Sequence, residues 1–183
     1  MSIMHKEMFG INETLAKEIL EVALSTGGDF AEVYMEKTTN EVLRLHSGKL
    51  STANVSKVKG IIKGELEVNS SITDCTYENL LKAAKTLAGS FNDKKHVEVQ
   101  PFVEKKVELV VSPKNVRGND ISREVNLLKT ASDTIYAYSK EIVQVICNLT
   151  KTEKRIFVFA SDSTWQTDYR CNTRLSCQAV ASD

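Results

Sequence analysis

The spacing of apolar residues predicts two helices in the first half of the chain. In "NETLAKEILEVALSTGG" the apolar residues form one broad face, with Asn12 placed to cap the helix and Gly27 and Gly28 placed to end it. In "TYENLLKAAKTLAGSF" the same spacing returns, and either Thr76 or Asp74 can cap the helix. Each segment therefore predicts an amphipathic helix that covers one side of a core.

Between these two helices the apolar pattern changes to that of strands. Residues from about 30 to 70 contain short β-prone runs, and Ser47 with Gly48 is placed as a hairpin tip between two of them. We predict three or four antiparallel strands in this region. The first part of the chain is then a helix, a sheet and a helix.

A third helix and a second set of strands follow. In "DISREVNLLKTASDTIYAYSK", apolar residues lie at alternating steps of three and four along one predicted face, which includes Leu128 and Tyr138. The strands predicted after it are "IVQVICNLT", "RIFVFAS", "TWQTDYR" and "TRLSCQAVA", with turns at 151–154, at 161–163 and around Cys171. These strands predict an antiparallel β-meander, and the predicted fold class of the whole chain is α+β.

The order of elements predicts two domains and a linker. Residues 1–92 form the predicted first domain. Residues 93–118 contain both prolines and many lysines, so we expect a linker that includes a short strand, "VELVV". Residues 119–183 form the predicted second domain, which we expect to be incomplete at its C-terminal end.

Charge and hydropathy argue against two classes of partner. The 183 residues contain 24 Lys plus Arg and 24 Asp plus Glu, whereas nucleic-acid-binding domains usually carry a basic excess. No run approaches the roughly 20 apolar residues of a membrane span, and the N-terminus lacks the apolar core of a signal peptide. We therefore expect a cytoplasmic protein that binds neither nucleic acid nor a membrane, with its four cysteines as free thiols.

The sequence contains no arrangement of residues that predicts an active site. The three histidines are too far apart to form a His-Glu-x-x-His type of ligand pair. Cys171 and Cys177 would lie roughly 20 Å apart along a strand, too far for one metal ion or one disulfide, and we expect Cys177 to point into a core. Asp162, Asp168 and Arg170 are the best polar cluster, which we interpret as turn and strand residues with a surface ion pair. We predict no catalytic, metal-binding or cofactor-binding residue.

The order of several short motifs resembles that of the TldD/PmbA family. The segment "GDFAEV" at residues 28–33 is similar to the family's Gly-Ala-Asp-Tyr-Ala-Glu-Val, and "SGKL" at residues 47–50 is similar to its hairpin. Residues 77–84 and 124–183 resemble the family's next helix and its central segment. The family's turn glycine is replaced by Ser163, which we expect either to adopt a left-handed conformation at some cost or to lie in another type of turn.

The resemblance implies a function for a longer protein of which this chain is one part. Members of the family run to more than twice this length, work as dimers of related subunits, and are also called modulators of DNA gyrase. The TldD branch implies a zinc metallopeptidase that processes or degrades peptides, with a His-Glu-x-x-x-His helix that would lie beyond this sequence. The resemblance therefore implies a non-catalytic portion that is inactive alone and contributes to the substrate cleft and to dimer contacts.

The final strand is the candidate interaction site. The edge of a sheet can accept a strand from a peptide or from a homologous or identical subunit, and the residues placed there are Thr173, Leu175, Cys177 and Ala179. A self-contained α+β module that binds peptides or proteins without protease activity would use the same edge. A small enzyme would instead need a pocket around the polar cluster at Asp162. The first two alternatives differ in whether the last strand is covered without further chain.

Overall fold

The computed structural model describes residues 9–64, 69–72, 74–95, 97–104 and 121–182. These residues contain three helices, which are α1 (Glu13–Ala23), α2 (Tyr77–Ala88) and α3 (Ile121–Tyr138). They also contain six strands, which are β1 (Ala31–His46), β2 (Lys49–Gly64), β3 (Asn69–Ile72), β4 (Val103–Glu104), β5 (Ile142–Ala160) and β6 (Thr164–Ala181). The predicted α+β class is confirmed.

The six strands form one sheet in the order β3-β2-β1-β5-β6-β4. Strands β2 and β3 are antiparallel, with Gly60 opposite Ile72. Strand β4 instead runs parallel to β6, with Val103 opposite Thr164. The sheet is therefore mixed, whereas the sequence predicted purely antiparallel strands.

Strands β1 and β5 lie side by side although about 100 residues separate them along the chain. The backbone N–H of Ser47 donates to the carbonyl of Val145 at 3.1 Å. The Thr152 hydroxyl donates to Oδ1 of Asn40 at 2.7 Å. Residue numbers rise along one strand as they fall along the other, so the two strands are antiparallel.

Two of the predicted turns are wrong because the strands pass straight through them. Strand β5 continues through residues 151–154, and β6 continues through Cys171. In both places the polar residues were interpreted as turns. At 151–154, Lys151 is instead buried within the strand, where carboxylates balance its charge. Around Cys171, strand β6 is exposed enough to carry polar side chains. The hairpin tip is confirmed, because Ser47 and Gly48 both have positive φ, at 46° and 80°.

The chain divides into two compact units, each assembled from separate segments. The first unit lies within residues 1–37, 57–109 and 155–168, and the second lies within 38–56, 110–154 and 169–183. The predicted division into 1–92, 93–118 and 119–183 follows the order of the sequence and stays a prediction. The predicted strand "VELVV" lies outside the described residues.

The core of the first unit lies between α1, α2 and the sheet. Both predicted caps are confirmed, since Asn12 Oδ1 accepts from the Leu15 N–H at 2.9 Å and Thr76 Oγ1 accepts from the Asn79 N–H at 3.4 Å. An aromatic cluster fills the sheet side, with the Phe157 and Trp165 rings 4.7 Å apart. The other rings of this cluster are Phe9, Phe102 and Phe159.

The core of the second unit lies between α3 and the strands β1 and β5. Leu128 of α3 is fully buried among strand residues, which are Leu43, Leu45, Val145, Cys147 and Leu149. Tyr138, which was predicted to lie on the same face, is 89% exposed. It is the last residue of α3, so the buried face ends before it.

Candidate interaction edge

The turn between β5 and β6 holds the first residue of the predicted polar cluster. Asp162 Oδ1 accepts from the Thr164 N–H at 3.1 Å, and Ser163 has φ 79°. The buried Ser161 accepts from the Ala31 N–H through its hydroxyl and donates its own N–H to the Ala31 carbonyl. Of the two alternatives expected at Ser163, the structure shows the left-handed conformation, and Asp162 acts as a turn residue.

The other two residues of the polar cluster do not form a described pocket with Asp162. Asp168 is half-buried in the first unit, and Arg170 is exposed in the second. Asp162 is exposed and its carboxylate is engaged by the turn backbone. The ion pair between Asp168 and Arg170 stays a prediction.

One side of strand β6 is bordered only at its start by a described strand. Strand β4 pairs with Thr164 and Trp165, and β5 lies on the opposite side of β6. Within the described residues, no strand borders β6 beyond Trp165 on the β4 side. We use the name β6 edge for Thr173, Leu175, Cys177 and Ala179, which are all exposed.

Cys177 is exposed on strand β6, whereas the sequence predicted that it would point into a core. Its thiol is a neighbour of the thiol of Cys147, which is fully buried on β5. Burial, and to a smaller extent the neighbouring Cys177, raise the pKa of Cys147 to about 12. Because Cys147 packs in the core under α3, this contact places Cys177 on the α3 side of the sheet, and strand alternation places Leu175 and Ala179 there too.

Exposed apolar side chains are concentrated in the second unit. Among the described large apolar residues that are exposed, only Val103 lies in the first unit. The others are Leu50, Ile121, Leu127, Tyr138, Val143, Leu175 and Val180. Clusters of uncovered apolar surface mark interaction sites more often than scattered single residues do, so the second unit is the better candidate for contact with another chain.

A buried ionic cluster fixes α3 to the sheet in the second unit. Lys151 of β5 is 4% exposed, and its Nζ lies 2.5 Å from Glu124 Oε1 of α3 and 3.8 Å from Glu41 Oε2 of β1. Among the described residues, Glu124 Oε2 has no hydrogen-bond partner. This cluster was not predicted from the sequence, although Lys151 continues the alternation of the buried residues Cys147 and Leu149.

The described residues do not fit a metal centre. No three His, Cys, Asp or Glu side chains among them converge on a point where an ion could bind. His46 is engaged with the side chain of Gln144, and His5 and His96 lie outside the described residues.

An open groove lies in the first unit. It has a volume of about 560 Å³ and lies between α1 and residues 99–102. The polar side chains on its α1 wall include Lys17 and Glu21, which form a surface ion pair at 3.8 Å. The described lining of the groove contains no histidine or cysteine.

One family model matches the C-terminal part of the chain. Residues 114–183 match the central domain of the PmbA/TldA metallopeptidases. No curated protein matches the sequence.

Solved structures of similar fold cover most of this chain. A candidate modulator of DNA gyrase from Bacteroides thetaiotaomicron has a TM-score of 0.67 at 14% identity over 93% of this chain. A second one, from Thermotoga maritima, has a TM-score of 0.57 at 17% identity over 84% of this chain. TldE from Thermococcus kodakarensis has a TM-score of 0.60 at 12% identity over 92%.

The chain spans only part of each of these structures, with coverage of 41%, 36% and 40% of their lengths in the same order. At these identities the likeness shows the fold, and the family model adds the sequence relation over residues 114–183. The resemblance to the TldD/PmbA family is thus confirmed, because residues 114–183 match the model of the PmbA/TldA central domain and the fold of the chain is similar to that of TldE and of two candidate modulators of DNA gyrase.

Proposed function

We propose that this chain is the N-terminal, non-catalytic portion of a TldD/PmbA-like zinc metallopeptidase that processes or degrades peptides. Its role is to contribute to the substrate cleft and to the dimer contacts. The observation that carries this proposal is the exposed β6 edge within the segment that matches the family's central domain. We also propose the predicted two-domain division, with residues 93–118 as the linker.

The chemistry of the β6 edge suits the addition of another strand. Backbone N–H and C=O groups that no strand borders can pair with an extended peptide or with a strand of a partner. Leu175 is 42% exposed, and covering the rest of this side chain contributes on the order of 1 kcal/mol. Hydrogen bonds and apolar burial together therefore favour an extended partner over a small polar ligand.

The likeness to TldE supports a related subunit as the partner. A homo- or hetero-dimer would bury the exposed apolar residues of the second unit, such as Leu175 and Val180. Zinc and the peptide-cleaving residues would then belong to other parts of the protein or to the partner.

The alternative is a self-contained module that binds peptides or proteins and has no protease activity. Such a module would be expected to cover its own last strand, apart from the binding site itself. Leu175 is exposed on the edge that both alternatives would use, so the binding titration described below is needed to separate them.

The cell compartment is part of the proposal. None of the helices in the described residues is both long enough and apolar enough to cross a membrane. Together with the balanced charge of the sequence, this supports a cytoplasmic protein that binds neither nucleic acid nor a membrane.

A peptidase assay and a binding titration test the proposal together. The purified chain is incubated with an unfolded peptide mixture, with zinc added or with a chelator, and products are followed by mass spectrometry. We expect no cleavage in either condition. Cleavage that persists in chelator would overturn the non-catalytic assignment.

The binding titration separates the two alternatives. Extended peptides of about ten residues are titrated into the chain, and self-association is followed in parallel by sedimentation velocity. Association of the chain through the β6 edge supports the dimer contact. Tight peptide binding by a strictly monomeric chain supports the self-contained module instead.

A further inference from the structure

Two thiols from neighbouring strands meet in the second unit. Strands β5 and β6 are adjacent and joined by a three-residue turn, and Cys147 lies as far before Ala160 as Cys177 lies after Thr164. Antiparallel pairing from the turn onward therefore places the two cysteines close to each other across the hairpin, and Cys177 is one of the groups that raise the pKa of Cys147, as expected of neighbouring thiols. Residues that face each other across antiparallel strands have Cα atoms roughly 4.5 to 5.5 Å apart, which falls within the range that a disulfide spans.

We propose that Cys147 and Cys177 are a redox modification site, which a small disulfide such as oxidised glutathione converts to a cross-strand disulfide. Both cysteines are free thiols in the structure. Their unequal burial gives them different roles, because Cys177 is exposed and can meet the oxidant whereas Cys147 is fully buried. Cys177 is thus the attacking thiol and Cys147 the resolving thiol.

The reaction consists of two thiol–disulfide exchanges. The Cys177 thiolate attacks one sulfur of the small disulfide, forms a mixed disulfide and releases one small thiolate. Cys147 then loses its proton and attacks Cys177 Sγ, which releases the second small thiolate. Two protein thiols are oxidised, one small disulfide is reduced to two thiols, and the two protons pass to the released thiolates.

The raised pKa of Cys147 determines how the reaction depends on pH. Because this pKa is about 12, only a small fraction of Cys147 is thiolate at neutral pH, and the second exchange is the slow step. The rate of that step should rise about tenfold per pH unit below the pKa of Cys147. The mixed disulfide on Cys177 should therefore accumulate transiently at pH 7 and disappear faster at pH 9.

The other two cysteines are placed differently. Cys171 is half-buried on the same strand as Cys177, six residues away, which is too far for a bond between them. Cys75 is buried in the first unit. The oxidised form should therefore contain one defined disulfide and two free thiols.

The test uses the full chain, incubated with oxidised glutathione at pH 7 and pH 9. Non-reducing peptide mapping by mass spectrometry should link the peptide of Cys147 to that of Cys177, and the count of free thiols should fall from four to two. Oxidation should also raise the Tm by several degrees, because the bond closes a loop in the unfolded chain. Dithiothreitol should reverse both changes.

Two variants with substitutions on strand β6 make the result of the test independent of any effect on folding. In Cys177→Ser no intramolecular disulfide should form, whereas Cys171→Ser, which alters the same strand, should leave its formation unchanged. Stable glutathione on Cys177 at pH 9, a disulfide between two chains, or a bond to Cys171 would overturn the proposal. So would the absence of any reaction under conditions that oxidise a free model thiol.

Discussion

At the scale of single residues, Lys151 links α3 to strand β1 in the second unit through its ion pairs. Its ammonium group is buried between a carboxylate of α3 and one of β1. Removing one partner of a buried ionic contact leaves a charge without its counterion, which typically costs about 3 to 5 kcal/mol. We expect Lys151→Met to lower the free energy of unfolding by about 3 kcal/mol, measured by urea denaturation.

Matched variants separate this ionic effect from the general effect of losing a lysine. Lys129→Met, at an exposed position of α3, should change the stability by less than about 0.5 kcal/mol. The double variant Lys151→Met with Glu124→Leu should recover most of the loss, since it replaces the ion pair with apolar contacts. Equal losses in Lys151→Met and Lys129→Met would contradict the assignment.

Ser163 stores backbone strain in the turn between β5 and β6. Its φ of 79° is in the region that glycine adopts freely and that side chains with a Cβ adopt at a cost of roughly 1 kcal/mol. Ser163→Gly should therefore stabilise the protein by about 1 kcal/mol, seen as a higher Tm. Ser90→Gly, at an exposed residue without positive φ, should bring no gain.

Cys75 gives the first unit a dependence on alkaline pH. Burial first, and then the neighbouring Asp74, raise the pKa of this thiol from 9.0 to about 11. Below pH 9 the thiol is protonated in both states, and between pH 9 and 11 only the folded state retains the proton. Stability is thus lost as pH rises through this range.

The measurement compares thermal unfolding between pH 8 and 11 in the wild type and in Cys75→Ala. The loss of Tm with pH should be smaller in Cys75→Ala, and Cys171→Ala should keep the wild-type slope. Identical slopes in all three proteins would show that Cys75 does not titrate differently in the two states.

At the scale of elements, helices could be predicted from the sequence better than strands. Helix ends depend on residues close in the chain, so Asn12 and Thr76 could be identified as caps directly. Strand lengths depend on partners far away in the sequence. Lys151 suggested a turn because its partners, Glu41 and Glu124, come from other elements.

The attachment of α3 to the sheet can be tested with two adjacent leucines. Leu128 is fully buried against β1 and β5, whereas its neighbour Leu127 is 47% exposed. Leu128→Ala should cost about 3 to 5 kcal/mol, because it removes buried methyl groups and leaves a cavity. Leu127→Ala should cost less than about 1 kcal/mol by the same urea measurement. A reversed order would show that α3 packs through its other face.

At the scale of the whole molecule, the fold class and the family resemblance could be predicted, whereas the arrangement of the sheet could not. The motifs around Ser47 and Ser163 are local and carried the resemblance. The pairing of β1 with β5 and the parallel contact of β4 with β6 are long-range and left no periodic signal in the sequence. The contact of Cys147 with Cys177 was missed for the same reason, since it required the register of β5 and β6.

The candidate edge was placed on the last strand by its position in the chain alone. The structure adds which of its side chains are exposed and which neighbours lie beside them. Leu175 of the β6 edge is 42% exposed, and Leu50 of β2, also in the second unit, is 44% exposed. This pair offers a matched comparison in which only the location of the leucine differs.

The central claim is that the β6 edge accepts a strand from another chain, and sedimentation velocity across a range of protein concentrations tests it most directly. We expect the wild type to associate as its concentration rises. Leu175→Lys should stay monomeric, because a charge on the edge opposes strand pairing. Leu50→Lys should associate as the wild type does. Equal association of the wild type, Leu175→Lys and Leu50→Lys, or a wild type that remains monomeric at every concentration, would contradict it.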